Sequence, residues 1–197
     1  MTVLVGYAST HWSTKGIAEE IGSRLMKAGV KASVRALSDV DSLAHYDAAV
    51  LGSAVHNQAW LPSGADFLDR QEDALGGMPV WLFSVSSVGS TSSFFGPLLT
   101  RLIRRTRKDT HAVARARELP RFRGHRDFAG AIERGQWGRA GDLFLRVCGG
   151  WPCDYRDWHD VDEWANGIAS QMQAAEWAKE RTRLRLVPPL PASGRVR

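Results

Sequence analysis

The feature that most constrains the fold is a repeated alternation of short apolar runs with segments of helical periodicity. Val3–Ala8 is an apolar run typical of a buried strand, and Ile17, Ile21 and Leu25 then recur at helical spacing before Gly29. Further strands are predicted at residues 31–37, 48–52, 79–85 and 127–132. Strands separated by helices predict a doubly wound α/β fold, in which five parallel strands form a sheet with helices on both faces.

The length of 197 residues suits one domain, which we place at residues 1–180. A last helix is predicted from Val161 to about Trp177. Residues 181–197 combine prolines with basic residues and lack apolar periodicity, so a flexible tail is predicted there.

Targeting signals and cysteine usage limit the class of protein. No apolar stretch approaches the roughly 18 residues of a membrane span, and the N-terminus has no signal-peptide pattern, so a cytoplasmic protein is expected. Cys148 and Cys153 do not form a Cys-x-x-Cys motif and are expected to be reduced. No metal site is predicted.

Basic residues are concentrated between Arg101 and Arg126, a segment that contains ten Lys or Arg and only two acidic residues, Asp109 and Glu118. Such a cluster predicts either a solvated helix face or a surface for phosphate-bearing partners, including a peripheral contact with the anionic inner face of the cell membrane. Nucleic acid is not expected as a partner, because the chain carries no recognisable nucleic-acid motif and no aromatic residues interleaved with these cations.

Ligands of open α/β sheets bind beyond the carboxyl ends of the strands, and three predicted loops lie there. The first, Ser9–Thr14, carries four hydroxyls at the start of a helix, where free amides and the helix dipole favour a phosphate. The alternative is a hydroxyl-rich helix cap without a ligand. The second loop, Gly52–Leu61, and the third, Ser84–Ser90, could hold a flat ring. Trp60 and His56 are the candidates to cover one face of it.

Four segments resemble the flavodoxin family, and in particular its branch of flavodoxin-type, quinone-dependent protoporphyrinogen oxidases. The resemblance covers roughly residues 2–175. It is carried by Tyr7–Glu19, Tyr46–Val55, Val80–Val85 and the segment Cys148–Trp158 with its late Asp-Tyr-Arg-Asp-Trp. The resemblance implies a flavodoxin-like fold with non-covalent FMN, its phosphate on the first loop and its ring between the second and third.

The residues that the resemblance and the loops together assign to FMN form three groups. They are Ser9, Thr10, His11, Trp12, Ser13 and Thr14; Ser53, Ala54, Val55, His56, Asn57 and Trp60; and Ser84, Val85, Ser86, Ser87, Val88 and Gly89. The chain departs from the family pattern in having Trp12, His56 and Gln58 where glycine, tyrosine and glycine are usual. A positive φ at residue 12 would strain a tryptophan there.

By resemblance, the protein is expected to oxidise protoporphyrinogen, a step of heme biosynthesis, and to pass electrons through FMN to a quinone-like acceptor. His56 is the candidate catalytic residue for proton transfer, because imidazole titrates near neutral pH. Two alternatives stay open. One is an electron-transfer module acting between proteins, although carrier flavodoxins are typically acidic and the pI here is about 9.6. The other is a flavin-free interaction domain.

Overall fold

Six strands build the sheet of the computed structural model, which describes residues 1–132 and 138–185. They are β1 (Thr2–Ala8), β2 (Lys31–Ala36), β3 (Ala48–His56), β4 (Ala59–Trp60), β5 (Val80–Ser86) and β6 (Phe122–Ala129). Five of them are parallel in the order β2-β1-β3-β5-β6, and the short β4 pairs antiparallel with the end of β3.

Seven helices and one 3-10 turn lie between or after the strands within the described residues. The helices are α1 (Ser13–Lys27), α2 (Pro62–Arg70), α3 (Glu72–Gly76), α4 (Pro97–Thr106), α5 (His111–Ala116), α6 (Gly138–Val147) and α7 (Trp158–Arg185), and the turn is Leu37–Asp39.

Successive strand residues point to opposite sides of the sheet, and helices cover both of these faces. Val3 and Val5 pack with Ile17 of α1 and with the apolar residues of α7. Leu4, between them in sequence, packs on the other face with Phe67 of α2. This arrangement confirms the predicted flavodoxin-like, doubly wound sheet of five parallel strands with helices on both faces.

Several predicted boundaries differ from the structure. β3 continues to His56 and reverses into β4 through Asn57 and Gln58, whose φ angles of 49° and 61° are those of a two-residue hairpin turn. The last strand is predicted at 127–132, whereas β6 begins five residues earlier, at Phe122, and ends three residues earlier, at Ala129. α7 runs past the predicted domain end at residue 180 to Arg185, and positions 186–197 of the predicted tail lie outside the described residues.

Candidate functional site

A cleft of about 400 Å³ opens beyond the carboxyl ends of β1, β3, β5 and β6, where the fold predicts a ligand. Ten of the eighteen predicted site residues line it: Thr10, His11, Ser13, Thr14, Ala54, Val55, His56, Val85, Ser86 and Ser87. The other eight lie outside its lining: Ser9, Trp12, Ser53, Asn57, Trp60, Ser84, Val88 and Gly89. The structure thus brings all three predicted loops to one cleft, and only some residues of each loop line it.

The first loop presents the N-terminus of α1 with polar groups left open. Trp12 is the N-cap residue, and no side chain accepts a hydrogen bond from the first amides of the helix. Thr14 is fully buried, and its Oγ1 has no hydrogen-bond partner among the described residues. Unpaired amides and an unpaired hydroxyl at a 15-residue helix favour an anion at this end of the cleft.

The hydroxyls of Ser9 and Ser13 support the shape of the loop. Ser13 Oγ accepts a hydrogen bond of 3.0 Å from the amide of Ala131 and lies 3.3 Å from its carbonyl oxygen, so it ties the helix start to the chain after β6. Ser9 Oγ donates to the carbonyl oxygen of His11 at 2.7 Å. Both hydroxyls are therefore engaged with the backbone, unlike that of Thr14.

Trp12 does not strain the loop, because the condition for strain, a positive φ at this residue, is not met. Its φ of −33° and ψ of −14° are right-handed helical values. The indole is 74% exposed, and Lys15 Nζ lies 4.9 Å from the ring centroid. Of the two positions where the family usually has glycine, Gln58 is the one with a positive φ, which it shares with its neighbour Asn57.

The second loop supplies one wall of the cleft. Ala54, Val55 and His56 line it, and the His56 imidazole is exposed. Ser53 is buried beneath them, donating to the carbonyl oxygen of Ala54 at 2.9 Å and accepting from the amide of Leu61 at 3.0 Å. This serine therefore shapes the wall without reaching the cleft.

Trp60 lies in the core instead of over the cleft, which corrects its predicted role as an aromatic cover. It is 4% exposed, and its indole N–H donates to Ser84 Oγ at 2.8 Å. Ser84 Oγ also lies 2.9 Å from Nε2 of His125. Burial lowers the pKa of His125, against the opposing effect of Asp127, so the imidazole is neutral at neutral pH and can accept the serine proton.

The third loop is held by two arginines of the α4 region. Arg107 donates to the carbonyl oxygen of Val88 at 2.6 Å and to Ser86 Oγ at 2.9 Å. Arg104 Nε donates to the carbonyl oxygen of Gly89 at 2.9 Å. A Cβ on Gly89 would lie 2.3 Å from the backbone nitrogen of Ala129, so only glycine allows this approach to β6.

The fourth wall of the cleft was missed by sequence reasoning. It consists of Gly130–Ile132, after β6, and of Phe94, which lies in a small apolar cluster with Leu145 of α6. Tyr155 adds a ring 5.0 Å from that of Phe94. The prediction of a strand at 127–132 assigns these loop residues to the sheet. The apolar pair Phe128 and Ala129, if read as the end of the strand, would have indicated a loop from Gly130 onward.

The predicted cationic cluster is largely engaged within the protein. Six of its ten members make hydrogen bonds or ion pairs: Arg104, Arg107, Arg115, Arg117, Arg121 and Arg126. The other four make none within residues 1–132 and 138–185: Arg101, Arg105, Lys108 and Arg123. Four of the ten are ion-paired with carboxylates: Arg107, Arg115, Arg117 and Arg126. Arg104 and Arg121 donate only to neutral backbone carbonyls, so hydrogen bonding does not offset their charge.

Two features are absent from the described part of the chain. None of its helices combines the length and the apolar character needed to cross a bilayer. It also contains no group of three or more His, Cys, Asp or Glu residues arranged to hold a metal ion.

Comparison with known proteins agrees with this architecture. The model of the flavodoxin domain family matches residues 4–126. Flavodoxin 2 of Bacillus cereus, in its oxidised crystal structure, has a TM-score of 0.56 and 18% identity, and the alignment covers 87% of this chain and 99% of that one. A mutant flavodoxin of Pseudomonas aeruginosa gives 0.54 and 12%, covering 86% and 97%. These likenesses show the fold. No significant match occurs among curated proteins.

A larger protein also contains this fold. The rubredoxin oxygen:oxidoreductase of Desulfovibrio gigas aligns with a TM-score of 0.57 and 15% identity over 88% of this chain. The chain spans only 36% of the length of that protein.

Proposed function

Because the chain belongs to the flavodoxin domain family, we propose that it binds FMN in the cleft and passes electrons from a reduced substrate to a quinone-like acceptor. Family membership favours flavin-dependent electron transfer. The residues present also fit the cofactor, since Thr14 leaves a buried hydroxyl unpaired at an uncapped helix N-terminus. That hydroxyl is the observation that carries the proposal, because an unpaired buried polar group is costly unless a ligand pairs it.

Different residues of the cleft would bind the phosphate and the ring of FMN. Thr10, Thr14 and the first amides of α1 hold the phosphate, and Ser13 keeps the loop against Ala131. Residues of the loops after β3, β5 and β6 line the rest of the cleft and would hold the ring. When bound, FMN supplies reversible two-electron chemistry that no side chain here provides. His56, exposed at the cleft wall, can exchange a proton with solvent during turnover.

The substrate side of the proposal rests on the segment that follows the cleft. Leu145 of α6 and Tyr155, which follows it, pack against Phe94 of the fourth wall. A carrier that hands electrons to another protein needs only an exposed ring edge, whereas an additional wall favours a bound organic substrate. This segment includes part of the resemblance to the protoporphyrinogen oxidase branch, so we propose a reduced porphyrin as the substrate.

The acceptor side rests on exposed apolar residues beside the same segment. Five large side chains are mostly exposed: Leu98, Leu102, Leu143, Val147 and Trp151. The amide of Gly96, just before α4, donates to the carbonyl oxygen of Cys148, just after α6, at 2.9 Å, so the two helices meet there. Arg101 and Arg105 on α4 are unpaired within the described residues. Exposed apolar side chains next to free cations favour an anionic membrane surface that carries the acceptor.

A carrier flavodoxin is the second candidate, favoured by the fold shared with solved flavodoxins. The two candidates differ in what they must bind besides the cofactor. A carrier needs a protein partner, and the pI of about 9.6 would demand an acidic one.

The test has two stages. The protein as isolated should show a flavin absorbance spectrum, or take up FMN on titration, and release it on heating. The flavin-loaded protein should then oxidise protoporphyrinogen with a quinone as acceptor. Absence of any flavin binding would refute both candidates, and flavin binding without this turnover would refute the oxidase and leave the carrier.

Membrane contact is tested separately by sedimentation with vesicles. Vesicles of phosphatidylglycerol should bind the protein and those of phosphatidylcholine should bind it less. The double variant Leu98→Ser and Leu102→Ser should lose most of this binding, and equal binding by the variant would contradict the proposed surface.

A further inference from the structure

A second groove, of about 340 Å³, lies between the edge strand β6 and α7 and shares no lining residue with the cleft. Its walls include Trp81 of β5, Arg123 and Gly124 of β6, and Trp164 and Gly167 of α7. We call it the Trp81 groove. Its volume far exceeds the roughly 10–15 Å³ that one water molecule needs on the same measure.

A buried residue in the wall of the Trp81 groove carries an unpaired donor. Trp81 is 3% exposed, and its indole N–H has no acceptor among the described residues. The corresponding N–H of Trp60 does have one, in Ser84 Oγ at 2.8 Å. A buried indole N–H normally finds an acceptor, so this one indicates a place for an oxygen atom of a ligand.

Two glycines keep the groove open on its opposite walls. Gly124 pairs with Trp81 in the sheet, and a Cβ on it would lie 4.0 Å from Cδ1 of that indole. Gly167 lies in the interior of α7, where a Cβ would meet nothing within 4 Å. Glycine in the middle of a helix is unfavourable compared with alanine, and neither backbone contact nor positive φ requires it at residue 167.

The charges around the groove leave one cation free. Arg126 is paired with the buried Asp160, so these two charges offset each other. Glu163 lies at the rim, exposed, with His159 at 3.4 Å. Arg123 is exposed and makes no ion pair within the described residues, which leaves a positive group to meet an anion.

We propose that the Trp81 groove binds a small aromatic carboxylate. The carboxylate pairs with Arg123 and supplies an acceptor toward the indole N–H of Trp81, while the ring lies against Trp164 and Ile168. The aromatic walls favour a flat apolar body, and the free guanidinium selects a negative charge. This site does not depend on FMN, since it shares no residue with the cleft.

The experiment is a titration of the full-length protein, in whatever flavin state it is isolated, with 2-naphthoate and, separately, with its neutral amide. Indole N–H signals are followed in a two-dimensional ¹H–¹⁵N spectrum, and the variant Trp81→Phe assigns the signal of Trp81. We expect naphthoate to shift that signal with a dissociation constant of about 1 mM or below, and the amide to bind at least roughly tenfold more weakly.

Matched variants separate the groove from other binding. Gly167→Leu adds a large side chain at a wall of the groove where a Cβ would meet nothing within 4 Å, and it should weaken naphthoate binding at least roughly tenfold. Gly167→Ala makes a similar change of helix propensity without the bulk and should keep the binding. Arg123→Gln should lose the preference for naphthoate over its amide. No shift at Trp81, equal binding by the leucine variant, or no preference for the carboxylate in the unaltered protein would each overturn the proposal.

Discussion

The first and third loops of the cleft border the same space but are stabilised in different ways. The first is tied through Ser13 to Ala131 after β6 and leaves Thr14 Oγ1 unpaired within the described residues. The third is held by hydrogen bonds from Arg104 and Arg107, which lie 15 and 19 residues along the chain from the carbonyl groups that accept them. The first loop thus has polar groups that a ligand can pair, whereas the backbone of the third loop is already fixed by hydrogen bonds.

The difference shows where the binding free energy for FMN should come from. Open polar groups at the first loop gain partners when a phosphate binds, so they contribute to affinity directly. The third loop gains little from the ligand, but its fixed backbone avoids the entropy cost of ordering a wall during binding. Substitutions in the two loops should therefore affect stability and affinity in different proportions.

The largest effect is expected for Gly89→Ala. The new methyl group would lie 2.3 Å from the nitrogen of Ala129, so the third loop must move away from β6. We expect the free energy of unfolding to fall by about 3 kcal/mol, together with FMN affinity. Chemical denaturation and flavin titration measure both. Gly167→Ala, where nothing lies within 4 Å, should instead raise stability by about 0.5–1 kcal/mol.

A smaller effect is expected for Arg107→Gln, which removes the hydrogen bonds to Val88 and Ser86 and the ion pair with Asp127 at 3.1 Å. FMN affinity should fall roughly tenfold, which is about 1.4 kcal/mol, because the wall becomes mobile. Arg101→Gln changes the same charge on a side chain without a partner in the described residues and should leave affinity unaltered. Equal losses in both variants would indicate a general charge effect instead.

Thr14→Val and Ser13→Ala should separate affinity from stability within the first loop. Without ligand, Thr14→Val should keep or raise the free energy of unfolding, because it removes an unpaired hydroxyl, whereas Ser13→Ala should lower it by about 1 kcal/mol. Thr14→Val should nevertheless weaken FMN binding. If flavin titration shows FMN binding unchanged in Thr14→Val, that hydroxyl does not contact the phosphate.

The smallest effect concerns pH. Because burial lowers the pKa of His125 below 6.5, the unfolded chain takes up this proton at a higher pH than the folded one. The contribution of this residue to stability is therefore complete above pH 6.5 and declines as the pH falls below it. Denaturation curves should show a shallower decline of stability just below that pH for His125→Gln than for the unaltered protein.

The parts that the sequence predicts correctly are those determined locally. Alternating apolar runs place β1, β2, β3 and β5, and a hydroxyl-rich turn before Ile17 marks the first loop. The strand β6 was misplaced because it lies at the sheet edge and carries Arg123, His125 and Arg126 in place of an apolar run. Its position depends on pairing with β5, which local periodicity does not report.

Contacts distant in sequence account for the remaining differences. Trp60 follows a loop at the correct edge of the sheet, yet its N–H is paired with Ser84, 24 residues away, inside the core. Arg104 and Arg107 belong to a basic run that suggests a solvated face, yet they hold the third loop. Residue type alone does not distinguish a surface arginine from one that donates to a distant carbonyl.

The most direct test of the account compares FMN with riboflavin, which lacks the phosphate, in parallel flavin-fluorescence titrations of the protein freed of flavin. If the N-terminus of α1 holds the phosphate, FMN should bind about a hundredfold more tightly than riboflavin, which is about 2.7 kcal/mol. Equal affinity for the two flavins, or no binding of either, would contradict the assignment of the first loop.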